Sequence, residues 1–234
     1  MSLVRTGKEV ARHLLHRLGY RRKQAHLSDA NRAGRFSAIY EGKVWSFGRD
    51  DIPLSGTGSS IEATAGLRTA LPQIVRRLGA GRMVDVGCGD FVWMSRIDLP
   101  CDYVGVDIVP WLIARNAEMY ASPTRDFVTR DVVIEPAPPG DLILCREVLF
   151  HLSLADGIAA LRNMLDSGCS HLLLTTDRVT SFNADIESGD FRLINLEKRP
   201  YRLPAPAERI EDGAISKGRF IGLWTAEAVR SALS

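Results

Sequence analysis

The sequence predicts a doubly wound α/β fold, in which helices cover both faces of a seven-stranded, mainly parallel sheet. Two observations carry this prediction. Short apolar runs that end at acidic residues recur along the chain, and a turn with two glycines follows one of them. A basic N-terminal helical and lid segment, residues 1–54, is predicted to precede a binding domain over residues 55–234.

The first predicted strand, Met83–Val86, leads directly into a turn that contains Gly87 and Gly89. Glycines in such a turn let backbone amides approach a ligand closely, and a following helix would present its positive end to that ligand. The next apolar run ends at Asp107, roughly 20 residues further on, a spacing that suits a carboxylate binding ribose hydroxyls. The sequence therefore predicts a nucleoside site.

The residues after the glycines exclude two common phosphate sites. A dinucleotide fingerprint requires a third glycine, whereas this chain has Val92 there, flanked by the bulky Phe91 and Trp93. No lysine follows the turn, which excludes a P-loop. A nucleoside cofactor without a diphosphate fits these residues better.

The segment Asp85-Val-Gly-Cys-Gly89 resembles the first motif of class I S-adenosylmethionine-dependent methyltransferases. Acids at later predicted strand ends, Asp107, Asp131 and Asp141, extend the resemblance from about Ser55 to the C-terminus. The residues alone leave open an α/β domain that binds another nucleoside or none.

The resemblance implies S-adenosyl-L-methionine as the cofactor and assigns its contacts. Asp107 is implied to hold the ribose, the glycine turn to hold the methionine tail, and Asp131 with the next amide to recognise the adenine amino edge. The implied cofactor-binding residues of the domain are Asp85, Gly87, Cys88, Gly89, Asp107, Ile108, Asp131, Val132 and Arg146.

The segment before the domain is predicted to form a lid. Aromatic residues at 35–40, then Trp45 and then Ser55-Gly56-Thr-Gly-Ser-Ser are similar to the front end of bacterial methyltransferases linked with saccharide modification. In that group the segment lies across the cofactor, so the resemblance adds Trp45, Ser55 and Gly56 to the cofactor-binding set. A flexible linker uses the same residue types and remains an alternative.

Three further elements follow from local patterns. Ser59 or Ser60 is predicted to cap a helix running from Ile61 toward Leu78, whose free amides could bind the methionine carboxylate. Ala207–Asp212 and Phe220–Thr225 are predicted as closing strands.

The segment after the fourth predicted strand supplies the catalytic candidates. Arg146 is expected to bind an anionic acceptor or the carboxylate of the cofactor. His151 is the candidate general base for a hydroxyl acceptor, because histidine titrates near neutral pH, and it would share a helical face with Glu147. A packing role for His151 is the alternative. The long loop beyond Asp177 is expected to contact substrate, through Asn183, Asp185, Arg192 and Asn195.

Missing motifs narrow the expected reaction. Cys145-Arg-Glu-Val replaces the Asp/Asn-Pro-Pro-aromatic box of base-amino methyltransferases, and a lone glutamate there does not match protein arginine methyltransferases. The expected function is methyl transfer to a small polar acceptor, such as a saccharide hydroxyl. An inactive cofactor-binding partner subunit is an alternative.

Residues 1–35 contain nine Lys or Arg against two acids, and Leu3–Tyr20 is predicted to form an amphipathic helix. Such a helix suits an anionic membrane surface or nucleic acid, which makes an RNA methyltransferase a further alternative. We expect instead that its apolar stripe packs on the domain or on a second subunit, as in a homodimer.

The composition is that of an ordinary globular protein, with 45% hydrophobic and 25% charged residues. No apolar run approaches the roughly 20 residues of a transmembrane helix, and no secretory signal is evident. The four cysteines are scattered, without a C-x-x-C pair. We therefore expect a cytoplasmic enzyme without a metal.

Overall fold

Helices and strands alternate along most of the chain in the computed structural model, which describes residues 2–18, 24–212 and 218–234, with only the backbone at 2–5, 9 and 17. The strands of this described part are β1 Arg82–Val86, β2 Asp102–Asp107, β3 Arg125–Thr129, β4 Leu142–Cys145, β5 His171–Asp177, β6 Glu208–Glu211 and β7 Arg219–Thr225. Its α-helices are α1 Ser2–Arg17, α2 Arg32–Glu41, α3 Ala65–Leu78, α4 Pro110–Tyr120, α5 Leu154–Leu165 and α6 Ala226–Ala232.

The strands form one seven-stranded sheet in the order β3-β2-β1-β4-β5-β7-β6. The pairs β3–β2, β2–β1, β1–β4 and β4–β5 are parallel, while β7 runs antiparallel to both β5 and β6. The predicted seven-stranded, mainly parallel sheet is confirmed, and so are the two closing strands.

The core lies on both faces of this sheet, because successive side chains of a strand point to opposite faces. Val84 and Ile143 belong to the layer that contains the buried side of α5. Their neighbours Met83 and Leu144 belong to the layer that contains the buried side of α3. Every residue of β4 is buried, as a central parallel strand requires.

A short 3-10 turn at Met94–Arg96 follows the glycine turn, in place of the α-helix that we expected there. Phe91 adopts a left-handed conformation, with φ of 61°. Its ring centroid lies 5.0 Å from those of both Tyr120 and Phe127. The bulky residues beyond the glycines therefore fill the core below the turn, and no α-helix presents its positive end at this point.

The helix predicted from Ile61 begins later, at Ala65, and ends as predicted at Leu78. The Ser60 hydroxyl accepts the Ala63 amide at 3.1 Å, and the Thr64 hydroxyl donates to the Ser60 carbonyl at 2.8 Å. These bonds stabilise a separate turn before the helix. Ser60 therefore caps that turn, about one turn before the first residue of α3.

Helix α1 covers most of the predicted range Leu3–Tyr20 and begins one residue earlier, at Ser2, while residues 19–20 fall outside the described part of the chain. Val10, Leu14 and Leu18 of its predicted apolar stripe are exposed, so the stripe does not pack on the domain, and packing on a second subunit stays a prediction. Polar contacts attach the helix instead, and one is the Asp185 amide donating to Nδ1 of His13 at 3.1 Å. No helix in the described ranges is long and apolar enough to cross a membrane.

Asp141 lies at the amino end of β4, at the opposite edge of the sheet from the other predicted strand-end acids. Its carboxylate accepts the backbone amides of Gly81 at 2.8 Å and Arg82 at 2.9 Å. Because ligands of open α/β sheets bind at the carboxyl edge, the grouping of Asp141 with those acids was wrong.

Leu173 tests the packing of the central sheet, since it is fully buried on β5. Leu173→Ala should lower the free energy of unfolding by about 2–5 kcal/mol, because it leaves a cavity between the sheet and α3. Urea denaturation followed by circular dichroism measures the change. The control Ile134→Ala removes a 68% exposed side chain and should change stability by less than about 0.5 kcal/mol. Equal losses in both variants would contradict the assigned core.

Candidate active site

A cavity lies at the carboxyl edge of the sheet, where the strand order reverses between β1 and β4. The empty space in and in front of it, including open solvent at its mouth, is about 940 Å³. The structure brings most of the predicted site residues together there. Those that line the cavity are Trp45, Ser55, Asp85, Gly87, Cys88, Asp107, Ile108, Asp131, Val132, Arg146 and His151.

Gly56 and Gly89 are the predicted cofactor-binding residues that do not line it. Gly56, with φ of 90°, packs against Trp45, so it lies behind the wall of the cavity. Gly89 lies under Ser55, whose hydroxyl occupies the space that a side chain at position 89 would need. Gly87 has φ of 78°, and a Cβ there would come within 2.1 Å of Val148. The turn therefore requires glycine for close packing as well as for its backbone conformation.

Asp107 is oriented by the backbone around it. One carboxylate oxygen accepts the Gly89 amide at 3.1 Å, and the other accepts the Val109 amide at 3.1 Å. Burial raises the pKa of Asp107 to about 6, although these amide hydrogen bonds lower it. The result is a fixed carboxylate at the end of β2 that faces the cavity.

Asp85 lies deeper, near the end of β1, and accepts a hydrogen bond of 2.8 Å from the Tyr103 hydroxyl. Burial raises its pKa to about 7, and the Tyr103 bond opposes that rise. Close to neutral pH this group is therefore present in both protonation states.

The N-terminal segment covers one side of the cavity through α2 and residues 45–59. Phe36 and Tyr40 of α2 are buried in the main core, so this segment is packed against the domain. The Ser55 amide donates to the Asp90 carboxylate at 3.1 Å, and the Asp90 amide donates back to the Ser55 hydroxyl at 2.9 Å. This reciprocal pair joins the predicted lid to the glycine turn.

Asp131 is hydrogen-bonded to Arg32, which the sequence analysis did not identify as a site residue. Arg32 donates to one carboxylate oxygen of Asp131 through Nε at 3.0 Å and through Nη2 at 2.8 Å. The other oxygen accepts the Val133 amide at 3.0 Å. Arg32 also lines the cavity. It lies 99 residues before Asp131 in a basic part of the sequence, and no sequence pattern distinguished it there as a site residue.

A cluster of four charged side chains borders the cavity: Arg146, Asp212 and Arg219, which are buried, and Glu147, whose side chain is 20% exposed. Arg146 donates to Asp212 through Nε at 3.0 Å and through Nη2 at 2.8 Å. Arg219 pairs with Glu147, and its Nε lies 3.4 Å from the Asp212 carboxylate. Two positive and two negative groups compensate one another where water is largely excluded.

This cluster changes the interpretation of Arg146. Its Nη2 also donates to the Gly58 carbonyl at 2.8 Å, and its guanidinium lies 5.6 Å from the centre of the Trp93 ring. Asp212 therefore neutralises a group that we expected to bind an anion. No sequence pattern identified Asp212 as a site residue. For Arg219 the only indication in the sequence is its position as a charged residue at the start of an otherwise apolar strand.

His151 also lines the cavity, at the end of a 3-10 turn formed by Val148–His151. Its Nδ1 lies 3.1 Å from the Asp190 carbonyl, so that nitrogen carries the proton. Its ring centroid is 4.7 Å from that of Trp45. Burial lowers the pKa of His151 to about 4, which keeps the ring neutral near pH 7.

The four polar residues expected to contact substrate from the long loop do not line this cavity. Asn183 donates to the Asn195 carbonyl at 2.9 Å and accepts the Asn195 amide at 2.8 Å. Arg192 donates to the Ala184 carbonyl at 2.9 Å. Buried backbone groups of an irregular loop need such partners, so these side chains stabilise the loop itself.

Solved methyltransferases share this fold at low sequence identity. N-methyltransferase NodS from Bradyrhizobium japonicum WM9, in complex with S-adenosyl-L-homocysteine, gives a TM-score of 0.53 at 17% identity, covering 80% of this chain and 97% of that one. Magnesium protoporphyrin IX methyltransferase from Synechocystis PCC 6803 gives a TM-score of 0.54 at 12% identity, and the match covers 82% of this chain and 97% of that one. The methyltransferase domain of the bacterial protein CtHen1-CN gives a TM-score of 0.53 at 13% identity, and the match covers 70% of this chain and 99% of that one.

No family model and no curated protein sequence matches this chain. At such low identities the structural likeness establishes the fold, and the activity must be argued from the site. The chain has the class I methyltransferase fold.

Asp85 is expected to make the folded protein less stable as the pH rises. Its pKa is about 7 in the folded protein, against about 3.9 for an aspartate in an unfolded chain. Its stabilising contribution is therefore complete below about pH 4 and is lost as the pH rises through about 7. Asp85→Asn keeps an acceptor for Tyr103 and removes this titration.

Urea unfolding of the wild type and of Asp85→Asn across about pH 5 to pH 8 tests this. The stability of the variant relative to the wild type should increase by roughly 2–3 kcal/mol over that range. A difference that stays constant with pH would show that Asp85 has an ordinary pKa.

Proposed function

We propose that this protein is an S-adenosylmethionine-dependent methyltransferase acting on a hydroxyl of a saccharide or a similar small polar acceptor. The observation that carries the proposal is one cavity lined both by Asp107 beside the glycine turn and by the polar pair Arg146 and Glu147. A single cavity that offers both sets of groups suits a reaction between two bound molecules.

The cofactor is proposed to bind along the ends of β1, β2 and β3. Asp107 has a fixed carboxylate that can accept hydrogen bonds from ribose hydroxyls. The backbone at Gly87 and Cys88 lines the same wall, and Asp131 with Val132 borders the position proposed for adenine. S-adenosyl-L-homocysteine bound to NodS, which has the same fold, supports this choice of cofactor.

The acceptor is proposed to bind between aromatic and charged groups. Trp45 and Trp93 line the cavity beside Glu147. Indole rings provide flat apolar surfaces, and a carboxylate accepts hydrogen bonds from hydroxyl groups. A saccharide combines apolar ring faces with polar edges, so this lining suits it better than a purely apolar acceptor.

S-adenosyl-L-methionine, when bound, supplies an electrophilic methyl group attached to a positively charged sulfur. The chain must then orient the acceptor oxygen, exclude water and receive the hydroxyl proton. We assign the proton to Glu147, which faces the cavity and is held by Arg219. His151, the base suggested by the sequence, is hydrogen-bonded to the Asp190 carbonyl and packs against the Trp45 ring, so we assign it to positioning Trp45.

Asp107→Ala should weaken binding of S-adenosyl-L-methionine by tenfold or more, because it removes a charged acceptor worth roughly 1.5–3 kcal/mol. Isothermal titration calorimetry measures the dissociation constant. Asp102→Ala is the matched control, since Asp102 lies at the other end of β2 and is half-exposed. Unchanged affinity in Asp107→Ala would reject the ribose assignment.

Glu147→Gln should lower kcat by roughly 10²-fold or more, with cofactor affinity nearly unchanged, because the amide cannot accept the proton. A screen of saccharides and small metabolites, followed by the mass increase of the product, supplies the acceptor for this measurement. His151→Asn should mainly raise KM and leave the pH profile of kcat unchanged. A pH profile altered only in His151→Asn would return the base role to His151.

A further inference from the structure

The polar side of α1 holds this helix against the rest of the chain. The Thr6 hydroxyl lies 2.6 Å from the Ser181 hydroxyl. Arg12 donates to the Phe191 carbonyl at 2.8 Å and forms an ion pair with the Asp190 carboxylate. An amphipathic helix on a globular domain normally buries its apolar side, so this arrangement is the reverse of the usual one.

The apolar side of α1 and of the turn after it faces away from these contacts. Val10, Leu14, Leu15 and Leu18 are 37%, 55%, 49% and 74% exposed. At about 3.6 residues per turn these positions fall on one face. A row of large apolar side chains in water marks a surface that binds something.

The basic sequence of this part of the chain indicates the kind of partner. Lys8 is exposed on α1, and the sequence after the helix contains Arg21, Arg22 and Lys23. Residues 1–35 contain nine Lys or Arg and two acids, and three of these bases, Arg12, Arg32 and Arg35, form ion pairs with acids further along the chain. The remaining excess of positive charge would repel a second copy of the helix, whereas anionic headgroups attract it and accept an apolar face.

We infer that α1 binds the surface of an anionic lipid membrane. The helix has 16 residues and is roughly 24 Å long, and it lies in the plane of the headgroups with its apolar face toward the acyl chains. The loop beneath it leads to the cavity, because Asp190 pairs with Arg12 through its carboxylate and with His151 through its carbonyl. Membrane binding therefore places the lipid surface beside a loop that supports the cavity wall.

Vesicle co-sedimentation with the full chain tests this inference without any measurement of activity, so its result is separate from that of the proposed reaction. Vesicles of phosphatidylglycerol and phosphatidylcholine should bind the wild type at least tenfold more tightly than vesicles of phosphatidylcholine alone. The double variant Leu14→Ser and Leu15→Ser keeps the charge and removes apolar contact, and it should bind the anionic vesicles at least tenfold more weakly. High salt should weaken binding of the wild type.

Ile134→Ser is the matched control, because Ile134 is 68% exposed elsewhere on the chain. It should bind the anionic vesicles like the wild type, and all variants should melt at similar temperatures since only exposed side chains change. The inference is overturned if the wild type does not bind, or if the double variant binds equally well. It is also overturned if sedimentation velocity shows a dimer that the double variant abolishes, or if RNA binds more tightly than the vesicles.

Discussion

The reversal of strand order between β1 and β4 determines where the functional groups of this molecule meet. The chain leaves β1 toward β2 and leaves β4 toward β5, so a crevice opens beyond the carboxyl ends of these two neighbouring strands. Gly87 follows β1 and Arg146 follows β4, and both line the cavity that results. The glycine turn and the polar groups after β4 are therefore held together by backbone hydrogen bonds of the sheet, independently of flexible loops.

The antiparallel strand β7 adds the second constraint. Because it runs against β5, its first residue, Arg219, pairs with Asp177 at the carboxyl edge of the sheet. Asp212 follows β6 at the same edge. Together they compensate Arg146 and Glu147, and removal of one buried partner would leave an uncompensated charge, which is far more costly than loss of an exposed ion pair. This pairing fixes the Glu147 carboxylate where the proposed acceptor would bind.

The N-terminal segment both packs in the core of the protein and lines the cavity. Phe36 and Tyr40 pack in the main core, while Trp45 and Ser55 line the cavity. The domain boundary after residue 54 stays a prediction, and the core contacts of α2 show how closely this segment is packed with the sheet. Beyond it, α1 is attached by polar contacts and leaves its apolar face exposed.

Much of the fold and part of the site could be predicted from sequence, because apolar runs, turn glycines and strand-end acids are local features. The sheet, the turn at Gly87 and the position of Asp107 follow from such features. The partners of Asp131 and Arg146 could not be predicted, since Arg32 and Asp212 lie 99 and 66 residues away along the chain. Local pattern determined most of the residues that reach the carboxyl edge, with Asp141 as the exception. Only tertiary packing decided which charges are neutralised there and that burial lowers the pKa of His151, because both depend on long-range contacts and on exclusion of water.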